Sequence, residues 1–272
     1  MYPRSDWSHR DGHPSLVSPM PSSKPASERS PDRSRRLANA GLPAPPDSRP
    51  TQVYERLRSL IVSGHIAPGT RLVEVDIAAR LNVSRTPVRA ALQRLQQEGY
   101  VLLSPGLQQA RQVVAPLTQD DARELFHLVG ELEALASERA AQLAPAVRRS
   151  LVAELRALNR QLDREAKKAR PDHALLQDLD ERFHARYVEV GAGPRLLAIH
   201  MAVKPQAQRY ERLYISMLSG EIATSVAEHE EIIRAINAGD PAAAQETVRT
   251  NWRNAAERLA VAITRTGERG AW

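Results

Sequence analysis

The sequence predicts a mainly α-helical protein with two folded domains behind an N-terminal tail. Apolar residues recur at helical spacing from residue 51, two short apolar runs indicate a β-hairpin, and only helical periodicity follows residue 118. These observations favour a winged helix-turn-helix of three helices and a hairpin over residues 50–117. They favour an all-α bundle of about six helices over residues 118–272.

The first 49 residues differ in composition from the rest of the chain. They are rich in Pro and Ser and poor in branched aliphatic side chains, so they bury too little apolar surface to offset the entropy of ordering. We expect this tail to be disordered. The arginines between Arg29 and Arg36 either contact DNA phosphates weakly or belong to a solvated tail.

Charge and composition narrow the function classes. The formal net charge is +6, and residues 51–116 alone carry eight basic and four acidic side chains, which suggests a polyanionic partner or only solubilising charge. The chain has no cysteine, which excludes disulfides, thiol catalysis and cysteine-bound metals. No apolar run approaches the roughly 20 residues that span a bilayer, and residues 1–30 lack a signal-peptide pattern. A soluble cytoplasmic protein without a membrane partner is expected.

Three short helices and a hairpin form the predicted first domain. The first helix ends at Gly64, a turn at 67–70 leads into the second, and the third begins with Ser84 as its N-cap and ends at Gly99. The hairpin strands are expected at the apolar runs Tyr100–Leu103 and Val113–Val114. The apolar faces of the helices are Val53, Leu57, Leu60 and Ile61, then Leu72, Ile77, Ala78 and Leu81, then Val88, Ala91, Leu92 and Leu95.

The second domain opens with a capping box formed by Thr118 and Asp121. Gly239 ends a later helix, and Asp240-Pro241 supplies the N-cap and first residue of the last one. Two apolar stripes lie at helical spacing: Leu125, Leu128, Val129 and Leu132, and then His229, Ile232, Ile233 and Ile236.

The third helix carries the pattern of a DNA-recognition helix. Arg85 and Arg89 are four residues apart and share one face, and Ser84 and Thr86 lie beside them at the positive end of the helix dipole. Arginine binds guanine edges in a bidentate fashion, and hydroxyls suit phosphates. The alternative is an ordinary helical hairpin with a solvated arginine face.

A second polar pattern lies in the helical domain. Asp180 and His184 are four residues apart on one predicted helix, and His229 begins an apolar stripe that faces the core. Inward carboxylate and imidazole groups suit a metal ion, although hydrogen-bonded core histidines are the alternative. The other histidines have no partner by spacing and are expected to be structural or exposed: His65, His127, His173 and His200.

The first domain resembles GntR-type regulators in the run Leu81-x-Val83-Ser84-Arg85-Thr86-Pro87-Val88-Arg89, with further matches from Tyr54 to Glu98-Gly99. The resemblance implies a homodimer on a near-palindromic operator, contacted by Arg85 and Arg89, with Ser84 and Thr86 on phosphates. Two departures put other contacts in doubt. Val75-Asp76 stands where relatives often have a basic residue, and the wing lacks the usual Gly-x-x-Val turn, although Arg111 can supply a wing contact.

Residues 118–266 resemble the FCD domain of the FadR branch, through Leu132-Glu133, Asp180-x-x-Phe183-His184 and Glu228-His229-x-x-Ile232. The resemblance implies a divalent metal, such as zinc or nickel, on Asp180, His184 and His229, which helps to hold a small carboxylate effector. Asn251 stands at the fourth ligand position, so a three-ligand site completed by water, or no metal, remains possible. Val129 replaces a common effector-binding arginine, and Arg209 is the candidate substitute.

Together these patterns predict a non-enzymatic transcription regulator, expected to be a repressor, whose operator affinity responds to a small-molecule effector. A constitutive DNA-binding dimer without metal or effector is the main alternative. A metal-dependent hydrolase is compatible with the Asp/His/His cluster, but the sequence shows neither a His-Glu-x-x-His motif nor a nucleophile motif.

Overall fold

Residues 49–104 and 111–270 are described by a computed structural model. The predicted disordered tail lies outside these residues, apart from Arg49, which already begins the first helix. Most of the predicted hairpin loop, including Pro105 and Gly106, lies outside them as well.

The N-terminal part of the described chain is a winged helix-turn-helix, as predicted. We call it the winged-helix module; it consists of α1 (Arg49–Val62), α2 (Glu74–Leu81), α3 (Arg85–Gln97), β1 (Val101–Ser104) and β2 (Arg111–Val114). The strands pair antiparallel, with Val101 opposite Val114 and Ser104 opposite Arg111.

A tight turn and one apolar cluster set the position of α3. Asn82 adopts a left-handed backbone with φ of 52°, which Asn tolerates better than most residues, and it turns the chain sharply from α2 into α3. Val88, Leu92 and Leu95 are fully buried against α1 and Tyr100. Burial of each such side chain contributes about 1.5–3 kcal/mol, so the opposite face of α3 is presented to solvent in a fixed orientation.

The C-terminal part is an all-α bundle, again as predicted. We call it the helical module, and the described residues form six α-helices there, with a short 3₁₀ turn at Ser219–Glu221: α4 (Gln119–Ala141), α5 (Pro145–Ala166), α6 (His173–Gly191), α7 (Pro194–Leu218), α8 (Ile222–Ala238) and α9 (Pro241–Thr266). None of the helices in the described ranges is long and apolar enough to cross a membrane.

Close helix contacts at two glycines bring the helices that carry polar residues together. A Cβ on Gly130 of α4 would lie 2.8 Å from Trp252 Cβ of α9, and one on Gly191 of α6 would lie 2.1 Å from the Ala136 carbonyl oxygen. Only glycine permits both approaches. The small residues therefore seat Trp252 deep in the module, beside α6.

The predicted helix starts are present, with one addition. Thr118 Oγ1 accepts from the Asp121 N–H at 3.3 Å, and Asp240 accepts from the Ala243 N–H at 3.0 Å. In the first capping box, however, the Tyr210 hydroxyl of α7 accepts from the Thr118 N–H and donates to Asp121. The start of α4 is therefore tied to α7.

Candidate DNA-binding surface and metal site

The exposed face of α3 carries the residues predicted to contact DNA. Ser84, Arg85, Thr86 and Arg89 are all exposed. Ser84 occupies the N-cap position with an extended backbone, and within the described helix its side chain caps no N–H group. The inner face is buried and consists of Pro87, Val88, Ala91, Leu92 and Leu95.

The carboxylate of Glu74, which the sequence did not single out, holds both arginines. Glu74 begins α2 and accepts from Arg85 Nη2 at 3.1 Å, and from Arg89 Nε and Nη2 at 2.9 Å each. These bonds, that of Arg89 above all, lower the pKa of Glu74 to about 2. Both guanidinium groups are thus ordered side by side on the exposed face of the module.

Arg111, the predicted wing contact, is the first residue of β2 and is exposed. It adjoins the loop at 105–110, which lies outside the described residues. Its contact with DNA stays a prediction.

The structure brings the three predicted metal ligands together. Asp180 and His184 lie one turn apart on α6, and His229 faces them from α8. One ligand atom from each lies within 4.8 Å of the others, and His229 Nε2 is 3.5 Å from Asp180 Oδ1. Both imidazoles are buried, whereas Asp180 is partly exposed.

Hydrogen bonds turn one nitrogen of each imidazole toward this cluster. His184 Nδ1 lies 2.7 Å from a Glu133 carboxylate oxygen, and His229 Nδ1 lies 3.2 Å from Asn159 Oδ1. Because an amide oxygen only accepts, His229 carries its proton on Nδ1 and leaves a lone pair on Nε2. Burial lowers the pKa of His229 well below its usual value, which keeps the imidazole neutral.

His229 Nε2 is buried and has no hydrogen-bond partner in the described part of the chain. An unsatisfied buried polar atom is costly, and an imidazole oriented through its other nitrogen is the usual arrangement of a metal ligand. The residues present therefore fit a divalent metal.

Glu133 of α4 anchors this arrangement from behind. The carboxylate is fully buried and accepts from His184, from the Tyr187 hydroxyl at 2.5 Å, from Trp252 Nε1 at 3.0 Å and from His200 Nε2 at 2.9 Å. Burial opposes its ionisation, but the neighbouring His184 and His200 outweigh this effect and hold the pKa of Glu133 well below its usual range. His200, expected to be structural or exposed, is a buried structural histidine, and its partner Glu133 is 67 residues away in sequence.

A cavity of about 80 Å³ opens beside the ligand cluster. Asp180, His184 and Asn251 contribute polar groups to its lining, and Phe126 and Trp252 contribute apolar surface. Asn251 Nδ2 donates to Glu228 at 2.8 Å. The volume accommodates several water molecules, and hence a ligand of few non-hydrogen atoms.

The arginine in this cavity is Arg258 and not Arg209. Arg258 donates to both carboxylate oxygens of Glu228, at 2.9 and 3.1 Å, and to Ser225 at 3.3 Å. Arg209, predicted to help hold the effector, does not line this cavity; its guanidinium is buried at the junction of the two modules, where Nη2 donates to the Ala115 carbonyl at 2.6 Å. Arg258 lies two helical turns after Asn251 on α9, and this spacing was the signal that could have indicated it.

Comparison with known proteins agrees with the geometry of both modules. The family model "Bacterial regulatory proteins, gntR family" matches residues 50–107, and the FCD domain model matches residues 124–254. An HTH-type transcriptional regulator in an unstable DNA locus of Streptomyces ambofaciens is 34% identical over 205 residues, which cover 74% of this chain and 80% of that protein. The chain belongs to the GntR family.

Other transcription regulators match in part or in fold. The gluconate operon transcriptional repressor of Bacillus subtilis is 40% identical over 88 residues, which cover 32% of this chain and 35% of the repressor. A GntR transcriptional regulator from Rhodococcus sp. RHA1 has a similar structure, with a TM-score of 0.59 and 25% identity, covering 78% of this chain and 97% of that one. This GntR protein is therefore a DNA-binding transcription regulator with an FCD effector-binding domain.

Proposed function

We propose that this protein is a homodimeric, cytoplasmic repressor that leaves its operator when a small carboxylate binds in the cavity of the helical module. Residues 50–117 then form the DNA-binding domain and residues 118–272 the effector-binding and dimerisation domain. The observation that carries the metal-dependent part is the buried, unpartnered Nε2 of His229 beside Asp180 and His184.

The DNA-binding half rests on the exposed arginine pair of α3. Arg85 and Arg89 reach the base edges, and Ser84 and Thr86 contact phosphates at the N-terminus of the helix. Arg111 contacts DNA from the wing. A homodimer places two such helices on the half-sites of a near-palindromic operator.

In the helical module, Asp180 Oδ1 and the Nε2 atoms of His184 and His229 hold the metal. Two imidazoles with one carboxylate suit zinc or nickel. Asn251 offers a neutral amide oxygen as a fourth ligand. The metal, when bound, supplies positive charge that attracts a carboxylate.

Arg258 is the better candidate than Arg209 for a protein contact with the effector. Its guanidinium lines the cavity, but it is already paired with Glu228. An effector carboxylate therefore shares Arg258 with Glu228 or displaces it. The small cavity favours an acid of few non-hydrogen atoms over a long-chain one.

We propose that effector binding lowers operator affinity, so that the protein is released from DNA. The support is the similarity of one segment to the Bacillus subtilis gluconate operon repressor. Effector binding between α6, α8 and α9 changes operator affinity only if it favours one arrangement of the two winged-helix modules over another.

Native mass spectrometry with elemental analysis, on protein purified without chelators, tests the metal and the homodimer together. We expect a dimer with one metal per chain, and loss of the metal in H229A. The matched control is H127A, which removes an exposed histidine of the same module and should retain the metal. Wild-type protein that takes up no divalent ion even when incubated with zinc or nickel would overturn the proposed site.

A mobility-shift assay tests the DNA contacts, with a duplex that the wild-type protein selects from a random pool. R85A/R89A should lower affinity for that duplex by about 10²-fold or more, since each bidentate arginine–guanine pair contributes roughly 1–3 kcal/mol. R160A/R170A removes two exposed arginines of the helical module and should bind as the wild type does. Equal affinity of both double variants would refute the assignment of the recognition face.

A further inference from the structure

Helix α7 is the surface on which the winged-helix module rests. Three hydrogen bonds and one close approach lie along one stretch of α7 and join the two modules or the chain between them: Arg58 with Met201, Gly99 near Gln206 (a Cβ on Gly99 would lie 3.3 Å from Gln206 Oε1), Ala115 with Arg209, and Thr118 with Tyr210. The last two hold the connecting segment, and the first is at the opposite end of the row.

The contact at Met201 exists because of a proline inside α7. Pro205 has no N–H, so the carbonyl of Met201, four residues earlier, lacks its usual α-helical hydrogen bond. Arg58 Nη2 of α1 donates to this carbonyl at 3.2 Å. The proline thus makes the Met201 carbonyl available as an acceptor, and a residue of the other module donates a hydrogen bond to it.

Arg58 also reaches the core of its own module. Its Nε donates to the Tyr100 hydroxyl at 3.3 Å, and Tyr100 packs in the same fully buried cluster as Leu92 and Leu95 of the recognition helix. A shift of Met201 relative to Arg58 is therefore passed to the base of α3.

The contacts are far enough apart along α7 for the winged-helix module to rotate when one of them is lost. Met201 and Arg209 are eight residues apart, which corresponds to about 12 Å along a helix. With Arg209 and Tyr210 holding the connection, release of Arg58 leaves the winged-helix module attached at one end of the row and free to pivot about it.

The residue next to Met201 connects this contact to the candidate metal site. His200 donates to Glu133, and the same carboxylate accepts from the candidate ligand His184. Two hydrogen bonds and one peptide unit thus separate the imidazole of His184 from the carbonyl that Arg58 binds.

From this geometry we propose that Arg58 is a positioning residue. It fixes the orientation of the winged-helix module on α7 through the carbonyl that Pro205 leaves free, and it passes changes at His184 to the recognition helix. The second clause rests on the proposed function; the first does not.

Distance measurements between two spin labels test the first clause. The chain has no cysteine, so R80C on α2 and R160C on α5, both exposed, give one label per module. Dilution with excess unlabelled chain leaves one labelled subunit in each dimer. We expect a single narrow distance in the otherwise wild-type chain and loss of that narrow distance in R58A, while R56A, at an exposed position of the same helix, preserves it.

A double-mutant comparison distinguishes this orienting role of Arg58 from a general contribution to fold stability. P205A supplies a backbone N–H that competes with Arg58 for the Met201 carbonyl, so the Arg58 bond weakens and the distance should broaden without a loss of thermal stability. R58A should then add little in the P205A background, because both changes remove the same contact. Unchanged distances in R58A and P205A, or broadening that simply adds in the double variant, would overturn the proposal.

Zinc chloride added to the labelled chain tests the second clause. We expect the wild-type distance to shift with zinc and the shift to disappear in R58A, although R58A still binds zinc. An equal shift in R58A refutes the role of Arg58 in coupling. If the wild type binds no zinc or nickel, the proposed metal function fails. The role of Arg58 as a positioning residue is still tested by the distances measured without metal.

Discussion

Replacement of Glu133 by glutamine should damage both the fold and the metal site. The carboxylate is fully buried and accepts from His184, Tyr187, His200 and Trp252. A glutamine side chain keeps one amide oxygen for these four donors and points an NH₂ group at the rest. Removal of one partner from a buried charged network costs about 3–5 kcal/mol.

This cost should appear as a fall in melting temperature of about 10 °C for a chain of this size. Zinc affinity should fall about 10- to 100-fold, the usual effect of a lost hydrogen-bond partner behind a metal ligand, since His184 loses the group that orients it. Differential scanning calorimetry and a competitive zinc titration measure the two effects separately. The control is E124Q, which neutralises an exposed carboxylate of the same helix. An E133Q protein that melts and binds zinc as E124Q does would refute the assigned role of the buried carboxylate.

Three further substitutions should each change stability or zinc affinity in a direction that follows from one local feature of the structure. Because the pKa of Glu74 is lowered to about 2, its pairing with Arg89 should contribute stability above pH 4.5 and lose it as the pH falls toward 2; urea unfolding of E74Q and wild type should therefore differ at pH 7 and converge in acid. G191A should cost at least about 1–3 kcal/mol in urea unfolding, since its Cβ would lie 2.1 Å from a backbone oxygen, whereas G220A, with open space around it, should be nearly neutral. N251H places an imidazole at the fourth ligand position and should tighten zinc binding by about tenfold or more, measured by competition with a chromophoric chelator; unchanged affinity would place residue 251 outside the ligand set.

Local sequence rules were sufficient for the helices and for most of the ligand cluster. The spacing of Asp180 and His184 put both on one face of α6, and the apolar stripe that follows His229 turned that imidazole inward. In both cases, residues a few positions apart determine the direction of the side chain, which is why the prediction needed no knowledge of the tertiary fold.

The groups that depend on tertiary packing could not be found in this way. His200 and Glu133 meet across 67 residues, and Arg209 binds the Ala115 carbonyl of the connecting segment and does not line the cavity. Glu74 is a similar case, since its partners become visible only when the turn at Asn82 folds α2 across the start of α3. No periodicity links such positions, so these contacts could not be predicted from spacing along the chain.

If Arg85 and Arg89 contact DNA as we propose, the carboxylate of Glu74 between them has a consequence for how the protein finds its operator. A negative charge beside the phosphates weakens the sequence-independent attraction that any duplex exerts on Arg85 and Arg89. At the operator, base contacts compensate for that repulsion; on random DNA nothing does. On that proposal the protein would spend less time on the many wrong sites, and the fraction of protein at the operator would rise even though its total affinity for DNA is lower.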